Sequence, residues 1–555
     1  MKRTVVTLFA LCLCLFSLGA QGAGLAFRSD KDVGRALAEY AMSGKLLVTD
    51  SFVFTGNELA EIADYSGRVQ SGPDFKSRLI FQFDPGIKGV SGIPAYVPAT
   101  TSDPTLLYFI DGIPVFLDLG ADFSSGDKVA GKVKIDLALR PTQMGANDMP
   151  LFAPWMVDTL LRDLLSWKFP QEGWLSAGDQ NAWIAAGRFK SGLGEGHFGN
   201  TFLNSRAEYY DQVQGVVGNK NFRFTSLIGN SATHLNKTEG TIQYLPRDTY
   251  YATDISINSW DAINDHDFTT QTEPIKMFAY SQVEARFWDR FRFGIAQMNM
   301  IGGKYPSLTD ILPTMFWHNN YSSGYTNVML GLNAAVLPID GLELFGEFTL
   351  DDTRGADEPA ISKPSAYAWQ TGGRYSFKPT SDIIVTAGGE YSFVSEWAYS
   401  RWQPYLTMYQ RHLINPSQGT DWPLGFAYGP DAKHLGFFAT ASLPSGATAE
   451  LAYEYLVKGP IYMGMTDSNG NPIYYNYDMP TFITLPDTPR TTTLAAIEAR
   501  PDQLSHGLSL NVNWPLPLGF ETYGRLQYWN HSNYLNAPGD SRQFVLFSTG
   551  VLWRY

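Results

Sequence analysis

Much of the chain alternates apolar and polar residues with a period of two. Val328, Leu330, Leu332, Ala334 and Val336 share one face of such a run, and after Pro338-Ile339-Asp340-Gly341 the pattern resumes with Leu342, Leu344, Gly346, Phe348 and Leu350. Glu343, Phe345, Glu347, Thr349 and Asp351 take the opposite face of the second run. Successive side chains of a strand point to opposite faces of a sheet, so this period predicts paired strands. Leu435–Leu443 and Ala447–Val457 repeat the design around Pro444-Ser445-Gly446, with Glu450 and Glu454 on the reverse face. Leu508–Trp514 and Phe520–Tyr528 repeat it around Pro515–Gly519, with Asn511, Asn513, Glu521 and Arg525 opposite. An earlier pair, Val115–Phe123 and Val129–Leu139, places Asp118, Asp122, Lys132, Lys134 and Asp136 together.

Runs of roughly 9–11 residues with one apolar face suit strands that cross a bilayer. Beyond the N-terminus no stretch offers about 18 uninterrupted apolar residues, so a closed β-barrel is the remaining way to span lipid. Lys2 and Arg3, the apolar Val5–Leu18 and the small residues up to Ala23 read as a signal peptide over residues 1–23. Connections of a few residues alternate with long ones such as 394–433, the arrangement of short periplasmic turns and long surface loops. At the C-terminus, Gly550, Trp553 and Tyr555 have the spacing of a barrel-assembly signal. The expected fold is all-β and transmembrane: an antiparallel outer-membrane β-barrel of about 18 strands. A strand within Ile473–Thr484 is expected in order to keep the up-and-down parity. Residues 24–110 are expected to form an N-terminal periplasmic or plug-like region and 111–555 the barrel. Two helices are expected, Lys31 to about Ser43 behind a Ser29-Asp30 cap, and Pro154–Lys168 as an insertion. Both suit packing against the periplasmic mouth; a plug is the alternative.

Composition sharpens this. The 555 residues carry 41 Lys+Arg against 54 Asp+Glu, a net charge of −13, which disfavours a nucleic-acid partner. Both cysteines, Cys12 and Cys14, lie in the leader, so no disulfide is expected in the processed chain. The full sequence has 35 Phe, 30 Tyr and 14 Trp, and the long outward segments are rich in them. Trp397, Arg401, Trp402, Tyr405, Arg411 and Trp422 fall in one such loop and Tyr474 and Tyr475 in another, and they are the candidate polysaccharide contacts. Aromatic faces stack on sugar rings while guanidinium groups bind hydroxyls, although membrane-interface girdles use the same aromatics. The sequence calls for no cofactor, metal or enzymatic activity: Asp467–Asp478 lacks the closing Glu of a calcium loop, and Asp265-His266-Asp267 has no second His nearby. His197, set among glycines, reads as a turn residue.

Gly187-Arg188-Phe189, the glycine-spaced Ser191–His197, Asn200–Asn204, Gly302-Gly303, Asn327 and Leu344-x-Gly346-x-x-x-Leu350-Asp351 resemble, in that order, the Wzi-type capsule assembly proteins. The resemblance spans roughly 180–355, with Gly192-Leu193-Gly194-Glu195-Gly196 standing where that family has Trp-Gly-Pro-Gly. It implies an outer-membrane barrel with periplasmic helices that attaches capsular polysaccharide to the cell. The expected partners are outer-membrane lipid, the barrel-assembly machinery and a surface polysaccharide. The alternative is a porin-like channel, since a barrel this wide can hold an aqueous lumen.

Overall fold

The computed structural model describes residues 26–27, 31–54, 58–62, 76–83, 87–91, 117–125, 128–137, 172–179, 181–207, 209–235, 243, 273–311, 326–353, 365–400, 404–415, 418–460, 465–466, 472–473 and 499–554. An antiparallel sheet closes on itself as a barrel. Its staves are β1 (Lys76–Phe83, continued by Ile87–Ser91), β2 (Leu117–Ser125), β3 (Val129–Leu137), β4 (Glu172–Gly178), β5 (Ala182–Phe189), β6 (Tyr210–Asn219), β7 (Phe222–Asn230), β8 (Glu273–Phe287) and β9 (Phe291–Gly303). They continue as β10 (Thr326–Ile339), β11 (Leu342–Asp352), β12 (Ala366–Phe377), β13 (Ile384–Val394), β14 (Ala432–Ser442), β15 (Thr448–Lys458), β16 (Gln503–Pro515), β17 (Phe520–Ser532) and β18 (Ser541–Arg554). The two parts of β1 lie end to end along β18 in one register, Phe83 opposite Trp553 and Ile87 opposite Thr549. Taken as one stave, they complete a described ring of 18 strands. Each stave pairs with its neighbours in sequence, and the β18–β1 seam removes the last edge. Lipid offers nothing to bond a free strand edge, so closure is what permits the span.

Short turns such as Asp340-Gly341 lie at one end of the barrel and long segments such as 395–431 at the other, which places the C-terminal end of β18 on the periplasmic side. The predicted faces hold. Leu332, Leu344, Phe348, Phe437, Leu451, Leu508, Leu510 and Leu526 are exposed on the outside, while Glu343, Glu347, Asp351 and Glu454 are buried within. Trp288 and Leu518, each 87% exposed, project from periplasmic turns, where the ring of the one and the chain of the other can enter the headgroup zone. Gly550 lies opposite Tyr523, and the Trp553 ring stacks on Phe520 with centroids 6.2 Å apart. Its Nε1 donates to the Leu518 carbonyl at 3.2 Å; Tyr555 lies outside the described residues.

Two expectations change. The barrel begins at Lys76 rather than at 111, because β18 needs a partner on its free side and β1 supplies it. No extra strand is needed for parity: β15 pairs directly with β16, Leu451 opposite Leu510, since the intervening chain leaves and returns at the outer end. Ile473 instead joins a short pairing of Pro472–Ile473 with Met465–Thr466, and 474–484 lie outside the described residues. The first helix is α1 (Lys31–Met42), with Val33, Leu37 and Tyr40 packed as predicted, while its cap, the 154–168 segment and the signal peptide lie outside the described residues.

Leu332 sits mid-stave on the lipid face. Arginine there is expected to lower the unfolding free energy in vesicles by about 2–4 kcal/mol, read by equilibrium denaturation. The same change at Leu518, in a periplasmic turn, is expected to cost far less.

Candidate functional site

A ring of this width encloses more space than its inward side chains fill. Among the described residues, three stretches outside the staves occupy it. The first follows α1. Val33, Ala36 and Tyr40 of the helix pack with Leu47, Phe54 and Ile62, and α1 rests on the periplasmic ends of β11 to β13. The Gly341 amide donates to the Ala41 carbonyl at 2.8 Å, and Arg35 donates to the Ser442 carbonyl at 2.8 Å. Burial and the neighbouring Glu61 hold the Tyr40 hydroxyl well above its usual range, so it stays a donor, 2.5 Å from the Glu61 carboxylate.

Residues 46–54 then run up inside the wall of β7 to β10. Thr49 Oγ1 and the Asp50 amide donate to Glu284 at 2.7 and 2.9 Å, and Asn333 donates to Asp50. Arg286 donates to the Leu46 carbonyl at 2.7 Å, Arg292 to the Thr49 carbonyl at 3.1 Å, and Arg223 to the Val53 carbonyl at 3.0 Å. Only Val53 and Phe54 of this segment have described ladder partners, Phe27 and Ala26, and the stretch before them satisfies its backbone in part on charged wall residues.

The second stretch is the glycine loop between β5 and β6, which folds inward. Its Glu195 sits between Arg292, at 2.6 Å, and Arg374, which also holds Glu343 at 2.6 Å. Glu390 accepts from the amides of His197 and Phe198 at 2.7 and 2.9 Å, and Gln370 donates to the Gly199 carbonyl at 2.8 Å. Gly194 has φ +112°, and a Cβ there would stand 2.6 Å from a Glu347 oxygen. His197 stacks on Phe438 with centroids 3.9 Å apart and lies 3.5 Å from Glu450, a packing role consistent with a turn residue. The two stretches meet where the Phe52 amide donates to the Gly192 carbonyl at 2.9 Å.

The third is the 395–431 segment, which caps the other two from outside. Tyr399 donates through its hydroxyl to the Thr201 carbonyl at 2.7 Å and through its amide to Asp351 at 2.7 Å. Lys276 Nζ donates to the Pro404 carbonyl and to Thr407, both at 2.9 Å, and Tyr428 donates to Glu454 at 2.6 Å. Tyr399, Met408, Trp422, Leu424 and Phe426 form one apolar cluster with Phe202, Tyr280 and Met298.

This packing decides where the expected sugar contacts stand. Trp397, Tyr405 and Trp422 are buried, Trp422 completely, so they are core residues of the inward-folded segment rather than an outward platform. Arg411 donates to the His234 carbonyl at 2.6 Å and links two outer segments. Arg401, Trp402, Tyr474 and Tyr475 lie outside the described residues, as do Asp265–Asp267 and Asp467–Asn471. The luminal residues Glu195, Arg223, Glu284, Arg292, Arg374 and Glu390 were not singled out from the sequence. Their signal was present, since charges on the inward face of strands beside a glycine-rich loop need partners inside.

Among solved structures, Wzi of Escherichia coli, described as a carbohydrate-binding β-barrel involved in group 1 capsule assembly, superposes over 96% of this chain and 99% of its own, with TM-score 0.54 and 13% identity. The fold is that of Wzi. The Pseudomonas aeruginosa protein OccD3 (87% of this chain, 92% of its own, TM-score 0.38, 10% identity) and the Acinetobacter baumannii channel DcaP (87% and 98%, 0.34, 10%) are more distant barrels. No protein-family model and no curated protein matches the chain. The chain is a closed antiparallel β-barrel with the fold of that outer-membrane protein.

Gly194→Val is expected to clash with Glu347 and with Asn200 of the same loop, push the glycine loop off the wall and open the lumen. Proteoliposomes carrying the variant should swell in small sugars where the wild type does not; equal swelling rates would remove the loop as the seal.

Proposed function

We propose that this protein holds polysaccharide at the cell surface and is not a diffusion pore. The observation that carries this reading is the occupied lumen: residues 46–54, the glycine loop and the 395–431 segment each bond buried charged residues of the wall. An open channel would need those charges to face water. The fold shared with a barrel described as carbohydrate-binding supports the same reading.

In this reading Trp397, Tyr405 and Trp422 act as scaffold, fixing the shape of the outer surface from below. The contacts with polymer fall to Arg401, Trp402, Tyr474 and Tyr475, aromatic and basic residues of the two long outer segments.

In planar bilayers the purified protein is expected to give no long-lived ohmic steps, and it should be retained on a resin bearing the organism's own surface polysaccharide. Trp402→Ala combined with Tyr474→Ala should lower retention at least tenfold with unchanged heat-dependent gel mobility. Trp422→Ala should instead loosen the segment, seen as faster proteolysis within 395–431. Ohmic conductance without retention would restore the pore.

A further inference from the structure

Below the sealed layers, a cavity of about 710 Å³ lies between α1, the glycine loop and the inner wall of β13 to β17. Its size is that of a small-ligand site. The strand register arranges its wall. Thr386, Thr440, Glu450, Asn511 and Arg525 stand directly opposite one another on five successive staves, a single polar row at right angles to the strands. Nearer the periplasm, Thr448 and Asn513 form a second step of the same kind. Thr440 and Asn511 donate to Glu450 at 3.2 and 3.3 Å, and Asn513 donates to Thr448 at 3.3 Å. Neighbouring positions along the row are about 4.8 Å apart, a repeat comparable to that of successive rings in an extended saccharide. The stacked His197–Phe438 pair supplies an apolar wall beside it.

Charge is distributed unevenly. Arg292 and Arg374 are held by Glu195 and Glu343. Arg525 makes no ion pair or hydrogen bond with any described residue, and its guanidinium carbon lies 5.9 Å from the Tyr523 ring. A row of hydroxyls, amides and one carboxylate that reaches a guanidinium with no described hydrogen-bond or ion-pair partner matches a ligand with several hydroxyl groups and one anionic group.

We propose that this cavity is a second binding site, entered from the periplasmic side, for a short acidic saccharide whose carboxylate meets Arg525 while its hydroxyls lie along Thr440, Glu450 and Asn511. The site is separate from any surface that touches external polymer, and the inference does not depend on that role.

Isothermal titration of the full-length protein in nanodiscs with digalacturonate, and with neutral cellobiose for comparison, tests this. Saturable binding of digalacturonate is expected, at least tenfold weaker for cellobiose and at least tenfold weaker in Arg525→Gln. A Thr440→Trp variant, which fills the row, should abolish it, with heat-dependent gel mobility confirming a folded barrel. Trp402→Ala should leave it unchanged, which separates this site from the surface one. No saturable binding by the wild type would overturn the proposal, as would equal affinity in both cavity variants.

Discussion

A peptide group in hydrocarbon has no solvent to bond, and that single fact organises this molecule. Every described stave is paired on both sides, and the chain closes the ring with β1, assembled from two pieces on either side of Asp84-Pro85-Gly86. Width follows from closure. A ring of 18 strands leaves an interior that must hold either water or polypeptide. Here polypeptide takes much of it, and the polar wall that would have lined a water column becomes a set of sockets for it.

Those sockets are ionic, with consequences for stability. Arg292 is 2% exposed and Arg223 1%, so each has lost its hydration and depends on its partners. Removing one partner from a buried pair typically costs about 3–5 kcal/mol, because a charge is left with neither water nor counter-ion. Glu195 therefore matters more than its place in a glycine loop suggests: it is shared by Arg292 and Arg374 from two different staves.

The barrel was legible because lipid imposes a strict period on the outer face. Leu342, Leu344 and Phe348 cannot exchange faces with Glu343 and Glu347 without placing acids in hydrocarbon, so register, face and topology are all written in alternation. A plug-like N-terminal region is among the expectations, but the course of the inward segments was not legible, since nothing periodic marks a chain that satisfies its backbone on distant side chains. The bond from Thr49 to Glu284 joins residues far apart in sequence, and no local pattern anticipates it. The aromatic loop misled for a related reason. Trp422 has the composition of a sugar platform and of a packed core alike, and only its complete burial distinguishes them.

The bond between Phe52 and Gly192 joins a segment that entered from the periplasm to one that descended from the cell exterior. The stopper is therefore made of interlocking halves rather than stacked discs, and withdrawing either one leaves shared wall residues such as Arg292 short of a partner. Such a closure fails as a unit: an N-terminal truncation meant only to trim the inner face would also unseat the ceiling.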